Sequence, residues 1–147
     1  MKAMPYQKTL DQRRASHAWE AVKKAKAQLT SDKAKQFGGQ AKKLPTRIVS
    51  SGLGQALAFL KAKDYAPMLL VEIGDWVLDK RTKPLSDKLK PGDDALLGAV
   101  VDGTSEFLRR ATDETLAYLR WLVRFAEAEG LTKEENGSKK EETNTKS

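Results

Sequence analysis

The stretch SEFLRRATDETLAYLRWLVRFAEAEG, residues 105–130, limits what this chain can fold into more than any other. Nothing breaks a helix in it before Gly130, Thr104 can cap its start, and Gly130 can end it. On a helical wheel its apolar residues spread over about 220°, because Leu108, Leu116, Leu119, Leu122, Val123 and Ala126 are joined by Phe107, Tyr118, Trp121 and Phe125. One neighbouring layer cannot cover so wide an arc. The helix is either the centre of a bundle or it keeps an aromatic edge for another protein chain, which makes Tyr118, Trp121 and Phe125 candidate interface residues. Arg109, Arg120 and Arg124 with Asp113 form its remaining polar ridge.

The other segments are helical in pattern too. In TLDQRRASHAWEAVKKAKAQLT, Thr9 and Gln12 have capping-box spacing, which predicts a helix over 10–29. Ala15, Ala18, Val22, Ala25 and Leu29 share one stripe with Trp19 at its edge, and Arg13, His17, Glu20, Lys23 and Lys24 lie opposite. SDKAKQFGGQAKKL reads as a short helix, weakened by Gly38 and Gly39, that kinks where Pro45 disfavours helical geometry at Leu44. LPTRIVSSGLGQALAFLKAK then resumes with Pro45 in a first turn and Ile48, Val49, Leu53, Ala56, Leu57 and Leu60 on its apolar face. Gly52 falls on that face and is expected to admit a neighbouring helix. Gly54 falls on the outward stripe between Arg47 and Lys61 and is expected to meet another chain or a phosphate backbone.

PMLLVEIGDWVLDKR gives a helix started by Pro67, with Leu69, Leu70, Ile73, Trp76, Val77 and Leu78 inward. Glu72, Asp75 and Asp79 form a narrow acidic side, able in principle to hold a hard cation but more simply a solvated face. TKPLSDKLKPGDD reads as a connecting loop, and ALLGAVV as a short helix capped by Asp94. No run alternates between hairpin turns. The expected fold is all-α: a compact bundle of about five or six helices over 1–131, with a disordered charged tail over 132–147.

Charge is uneven. Residues 1–63 carry 14 Lys and Arg against 3 Asp and Glu, a net +11, whereas residues 64–131 carry 9 against 13, a net −4. A basic front invites a polyanion such as nucleic acid, and the asymmetry also suits copies stacking basic end to acidic end. Arg13, Arg14, Lys23, Lys24, Lys42, Lys43 and Arg47 are the candidate RNA-binding cations, with Arg109 added from its helical position. No aromatic ladder interleaves them in sequence, so backbone contact is expected rather than base stacking.

Chemistry is thinly supplied. There is no cysteine, which excludes disulfides, thiolate metal sites and a cysteine nucleophile. The single histidine, His17, has no sequence neighbour resembling a triad, and no phosphate loop, dinucleotide fingerprint or zinc spacing occurs. A non-enzyme without metal, cofactor or small-molecule substrate is expected. With no long apolar run or signal-like start, the expected location is the cytoplasm rather than a membrane.

Three motifs, LDQRRASHAWEAV, KLPTRIVSSGLGQALAFL and ATDETLAYLRWLVRFAEA, resemble the small α-helical subunit of the type III-B (Cmr) CRISPR effector complex, in order and approximate spacing, over about 9–129. That resemblance implies a non-catalytic protein of RNA-guided antiviral defence. It implies copies that stack along the guide-RNA-bound backbone subunit and help hold the guide–target duplex. It also implies a basic surface at Arg13, Arg14, Lys43 and Arg47. Partners would be the other subunits, further copies of this chain, guide RNA and target RNA. The residues alone leave two other readings open: a free-standing nonspecific nucleic-acid binder, and a protein-only helical adaptor.

Overall fold

In the computed structural model, residues 7–80 and 92–132 are described. The expected tail beyond 132 and nearly all of the loop before Asp94 lie outside them. The described residues form six α-helices and no strand.

Helix α1 (Leu10–Gln28) starts at the expected capping box: the Gln12 N–H donates to Thr9 Oγ1 at 3.0 Å, and the Thr9 N–H donates to Gln12 Oε1 at 2.8 Å. It buries Ala18, Ala21, Val22 and Ala25, side chains small enough to bring a neighbouring helix close.

Helix α2 (Ser31–Ser51) corrects two expectations. It does not end at Pro45 but runs through it as one helix. Proline there removes one backbone bond. The stripe Ala34, Phe37, Ala41, Leu44 and Ile48 is nevertheless buried on both sides of it, and that burial favours one continuous helix. The break comes instead at Gly52, whose φ of 92° and ψ of 157° belong to a region essentially reserved for glycine. Gly52 is exposed and nothing lies within 4 Å of where its Cβ would be, so it serves the turn and not the close approach expected of it.

Helix α3 (Leu53–Lys63) follows directly and buries Leu53, Ala56, Leu57 and Leu60. Helix α4 (Pro67–Gly74) begins at proline as expected, but from Asp75 to Lys80 it widens into a π-helix with i→i+5 bonding. The consecutive residues Asp75 and Trp76 both reach the same interior seam. Helix α5 (Ala95–Asp102) has Asp94 in the cap position, although its side chain makes no capping bond.

Helix α6 (Ser105–Ala128) is the central element, packed on α1, α2, α5 and the π-helical turn. Thr104 Oγ1 accepts from the Phe107 N–H at 3.0 Å. At the other end Gly130, at φ 78°, closes a complete Schellman turn: its N–H donates to the Glu127 carbonyl at 3.0 Å and the Leu131 N–H to the Ala126 carbonyl at 2.9 Å. Leu131 is thereby buried against α2 at Gly38. A Cβ on Gly38 would lie 2.7 Å from that of Leu131 and would run into its carbonyl oxygen. Only a residue without a side chain fits there. Gly39, its neighbour, faces open space.

The cross-helix partners fix direction. Arg14–Glu114, His17–Tyr118 and Lys26–Glu129 ascend together, so α1 and α6 are parallel. Gly38–Leu131 and Lys42–Glu127 descend, so α2 is antiparallel to α6.

Candidate functional site

Where α1, α4 and α6 meet, the interior is polar. Arg14 forms a bidentate pair with Glu114, Nε to Oε2 at 2.6 Å and Nη2 to Oε1 at 2.9 Å, and its Nη1 reaches Asp11 Oδ1 at 3.0 Å. The Trp76 indole N–H donates to the same Glu114 at 2.8 Å. Glu114 holds the Arg14 guanidinium protonated above its ordinary range, with Asp11 assisting against the cost of burial. The Asp11 carboxyl is pulled below its ordinary range, first by the hydrogen bond from Trp121 and then by Arg14.

Beside this pair, His17 bridges two helices. Its Nε2 lies 2.8 Å from Asp75 Oδ2 and its Nδ1 lies 2.6 Å from the Tyr118 hydroxyl. A carboxylate only accepts, which assigns the Nε2 proton to the Asp75 bond; in the neutral ring Nδ1 then accepts from Tyr118. Tyr118 is wholly buried and stacks on Trp76 at 5.8 Å between centroids. Burial, then the charges of Glu72 and Asp75, push its hydroxyl well above the ordinary tyrosine range.

Glu72 is also buried and takes Lys24 at 2.8 Å, which raises the lysine above its ordinary value. The acidic side of α4 is therefore not the solvated face expected; the side chain of Asp79 lies outside the described residues. Ligand atoms of His17, Glu72 and Asp75 come within 4.8 Å of one another, close enough to surround a metal ion. Both ring nitrogens and Glu72 are already engaged, and the Lys24 ammonium supplies the positive charge there.

The predicted RNA-binding cations divide. Arg14 and Lys24 are committed to this seam. Lys42 stands 3.8 Å from Glu127. Arg47 donates to Gln40 at 2.9 Å and lies 4.5 Å from the Phe59 ring, while Lys23 lies 5.3 Å from that of Trp19. Arg13, Lys43 and Arg109 are exposed. The set does not form one compact patch. Arg13 and Arg109 sit by the N-terminal ends of the parallel α1 and α6, and Lys42 is by the far end of α6. The 18 residues from Arg109 to Glu127 correspond to about 27 Å of helix.

The interface candidates divide as well. Tyr118 is fully buried, so it belongs to the bundle and not to an outer edge. Gly54 is half-buried, with Val100 of α5 at 3.6 Å from its Cβ position, so this stripe is partly covered by the same chain. Trp121 and Phe125 remain half-exposed and are stacked at 5.7 Å; Phe125 meets Trp19 edge-on at 5.1 Å. Lys23, Trp19, Phe125 and Trp121 thus form a continuous run. Cations and aromatics do interleave, but across α1 and α6 and not along either.

Fold and surfaces together define a class: a small all-α protein whose polar interior is satisfied by its own side chains and whose exposed helices are basic and aromatic. The family described as CRISPR-associated protein (Cas_Cmr5) matches residues 10–129. A crystal structure of a CRISPR-associated Cmr5 family protein from Thermus thermophilus superposes with a TM-score of 0.67 at 25% identity, covering 82% of this chain and 97% of that one. The chain belongs to the Cmr5 family, the small helical subunits of type III-B CRISPR effector complexes.

Proposed function

We propose that this chain is a non-catalytic subunit that stacks along the guide-bound backbone subunit and lines the guide–target RNA duplex with the outer face of α2. The observation that carries this is how charge is distributed after folding. Rear-half acids are drawn onto front-half cations in the helix contacts: Glu114 to Arg14, Glu72 to Lys24, Glu129 to Lys26 and Asp93 to Lys61. Helix α2 holds five Lys and Arg against one Asp; Lys42 stands 3.8 Å from Glu127, while Lys33 and Lys43 are exposed. A row of cations along one rigid helix tracks phosphates without reading bases. The part-buried His17–Tyr118 pair, with both imidazole nitrogens engaged, favours a structural part for the one histidine.

The test is photo-crosslinking in the assembled complex, with 4-thiouridine placed along guide and target. Crosslinks to peptides spanning 31–51 are expected. Crosslinks confined to other subunits would remove the duplex-lining role and leave a protein-only adaptor.

A further inference from the structure

The run of aromatics ends at a built recess. A notch of about 370 Å³ lies between Trp121 and the first two turns of α1, walled by Thr9, Gln12, Ala15 and Ser16 with Lys8 at its edge. One side of the Trp121 ring is taken by Phe125, and its indole N–H is fixed on Asp11 at 3.0 Å, so the ring is held in place from two directions. The Asp11 carboxylate also lines the notch, and its charge is answered by Arg14 at 3.0 Å.

The walls keep hydrogen-bonding capacity. Thr9 Oγ1 accepts from the Gln12 N–H and still has a proton to donate; Gln12 Oε1 accepts from the Thr9 N–H and leaves its amide donors available. Ser16 is exposed. Positive charge borders the recess through Lys8, which lines it, and Arg120, which is close enough to act on Asp11; both are exposed.

We propose that this notch takes an unpaired nucleobase of a single-stranded nucleic acid, stacked on Trp121, with the adjoining phosphates on the bordering cations. A rigid aromatic wall, small polar groups at its sides and cations around it are what a base with its phosphate requires, and every base has a face to stack. A base inside a duplex could enter only by being extruded, at a cost in pairing and stacking. The site is therefore selective for unpaired strands. It rests on the reading that this chain meets nucleic acid, but it lies apart from α2 and asks for bases where α2 asks only for phosphates.

The full chain is titrated, by fluorescence anisotropy, with three labelled probes: a short oligouridine, an abasic strand of equal length, and a blunt RNA duplex. Oligouridine is expected to bind more tightly than the abasic strand by about five-fold to a hundred-fold, the range of a single base stacked on an aromatic ring. Trp121→Leu abolishes that preference and leaves abasic and duplex binding as they were. Ser16→Gln, which fills the notch from an exposed position and does not touch the core, does the same. Equal affinity for oligouridine and abasic strand, or a preference surviving both variants, overturns the proposal. Duplex binding without any base preference would refute the notch alone, whereas no binding to any probe would refute the nucleic-acid reading with it. A base preference that is absent while Trp121→Leu blocks assembly with the other subunits would mark the ledge as a protein contact and also refute the proposal.

Discussion

The seam between α1, α4 and α6 and the outer face of α2 are both rich in charge, and they use it in opposite ways. In the seam each cation has a buried acid from another helix: Arg14 has Glu114, and Lys24 has Glu72. On α2, a helix with a single acid, Lys33 and Lys43 are exposed, although Lys42 stands 3.8 Å from Glu127. The same residue types therefore give orientation between helices in one place and an electrostatic surface in the other. What decides is whether a carboxylate on a different helix comes within reach, which is a property of the fold and not of the segment.

The sharpest way to break the comparison is Glu114→Leu. It takes from the mostly buried Arg14 guanidinium its bidentate partner, leaving it Asp11, and from the Trp76 indole N–H its acceptor, and about 3–5 kcal/mol of folding stability should be lost in urea denaturation. Adding Arg14→Met should recover much of that, because an apolar pair of similar volume removes a buried charge that has lost its main partner. Recovery of nothing would mean that the seam acts through Trp76 rather than through the ion pair.

Next in size is Gly38→Ala, which drives a methyl group into the backbone of Leu131 and should cost about 1–3 kcal/mol by overpacking. Gly39→Ala, one residue along with open space at its Cβ, should instead stabilise by about 0.4–1 kcal/mol through the unfolded state. Equal effects of the two would show that α6 does not seat on α2 through its Schellman turn.

These pairs also mark how far the sequence could be read. The all-α class, the capping box at Thr9 and the cap at Thr104 were legible because they rest on local chemistry and periodicity, whereas the wide apolar arc of α6 left open whether it was central or kept an edge for another chain. The course of α2 was not. Pro45 is a strong local breaker, and only the tertiary burial of Phe37, Ala41, Leu44 and Ile48 along one line outweighs it. For Gly52, position on an apolar face gave the wrong reason for the residue, since backbone dihedrals are not periodic. The seam was hidden for another cause: His17 and Glu72 each sit on the polar side of their own helices, and polar sides read as solvated until two of them are seen to face each other. The one available hint was arithmetic, an excess of acids in the rear half that matched cations in the front.

A smaller effect tests the middle of the seam. Tyr118→Phe removes the hydrogen bond at 2.6 Å to His17 Nδ1 and should cost about 1 kcal/mol at neutral pH. The cost should also depend on pH. Because the folded-state pKa of Tyr118 is raised, the stability contributed by its neutral form is complete below about 10, the value of an unfolded tyrosine, and is lost as pH rises through the folded value. The variant has no such loss, so the gap between the two proteins should narrow in alkaline denaturation. Lys24, also raised, weakens with pH in the same direction but does so in both. A constant gap up to strongly alkaline pH would mean that Tyr118 is not held neutral by this environment.

The smallest effect on stability belongs to the outer face, and there the comparison becomes functional. Lys43→Gln should change folding by no more than about 0.5 kcal/mol, as an exposed substitution with no ion pair to lose among the described residues. If it tracks a phosphate, it should lower RNA affinity and make the slope of log affinity against log salt shallower by about 0.7–0.9. Lys24→Gln is the matched opposite: it should destabilise the fold, because Glu72 stays buried without its ammonium, and should leave the salt slope nearly as it was. Equal loss of slope from both would erase the distinction, because a lysine already paired to a buried carboxylate would then be meeting RNA as freely as one that is not. Loss of slope from Lys43→Gln alone would mean that interhelical pairing, more than the local density of lysine and arginine, sorts the cations that hold this bundle together from those it offers to a partner.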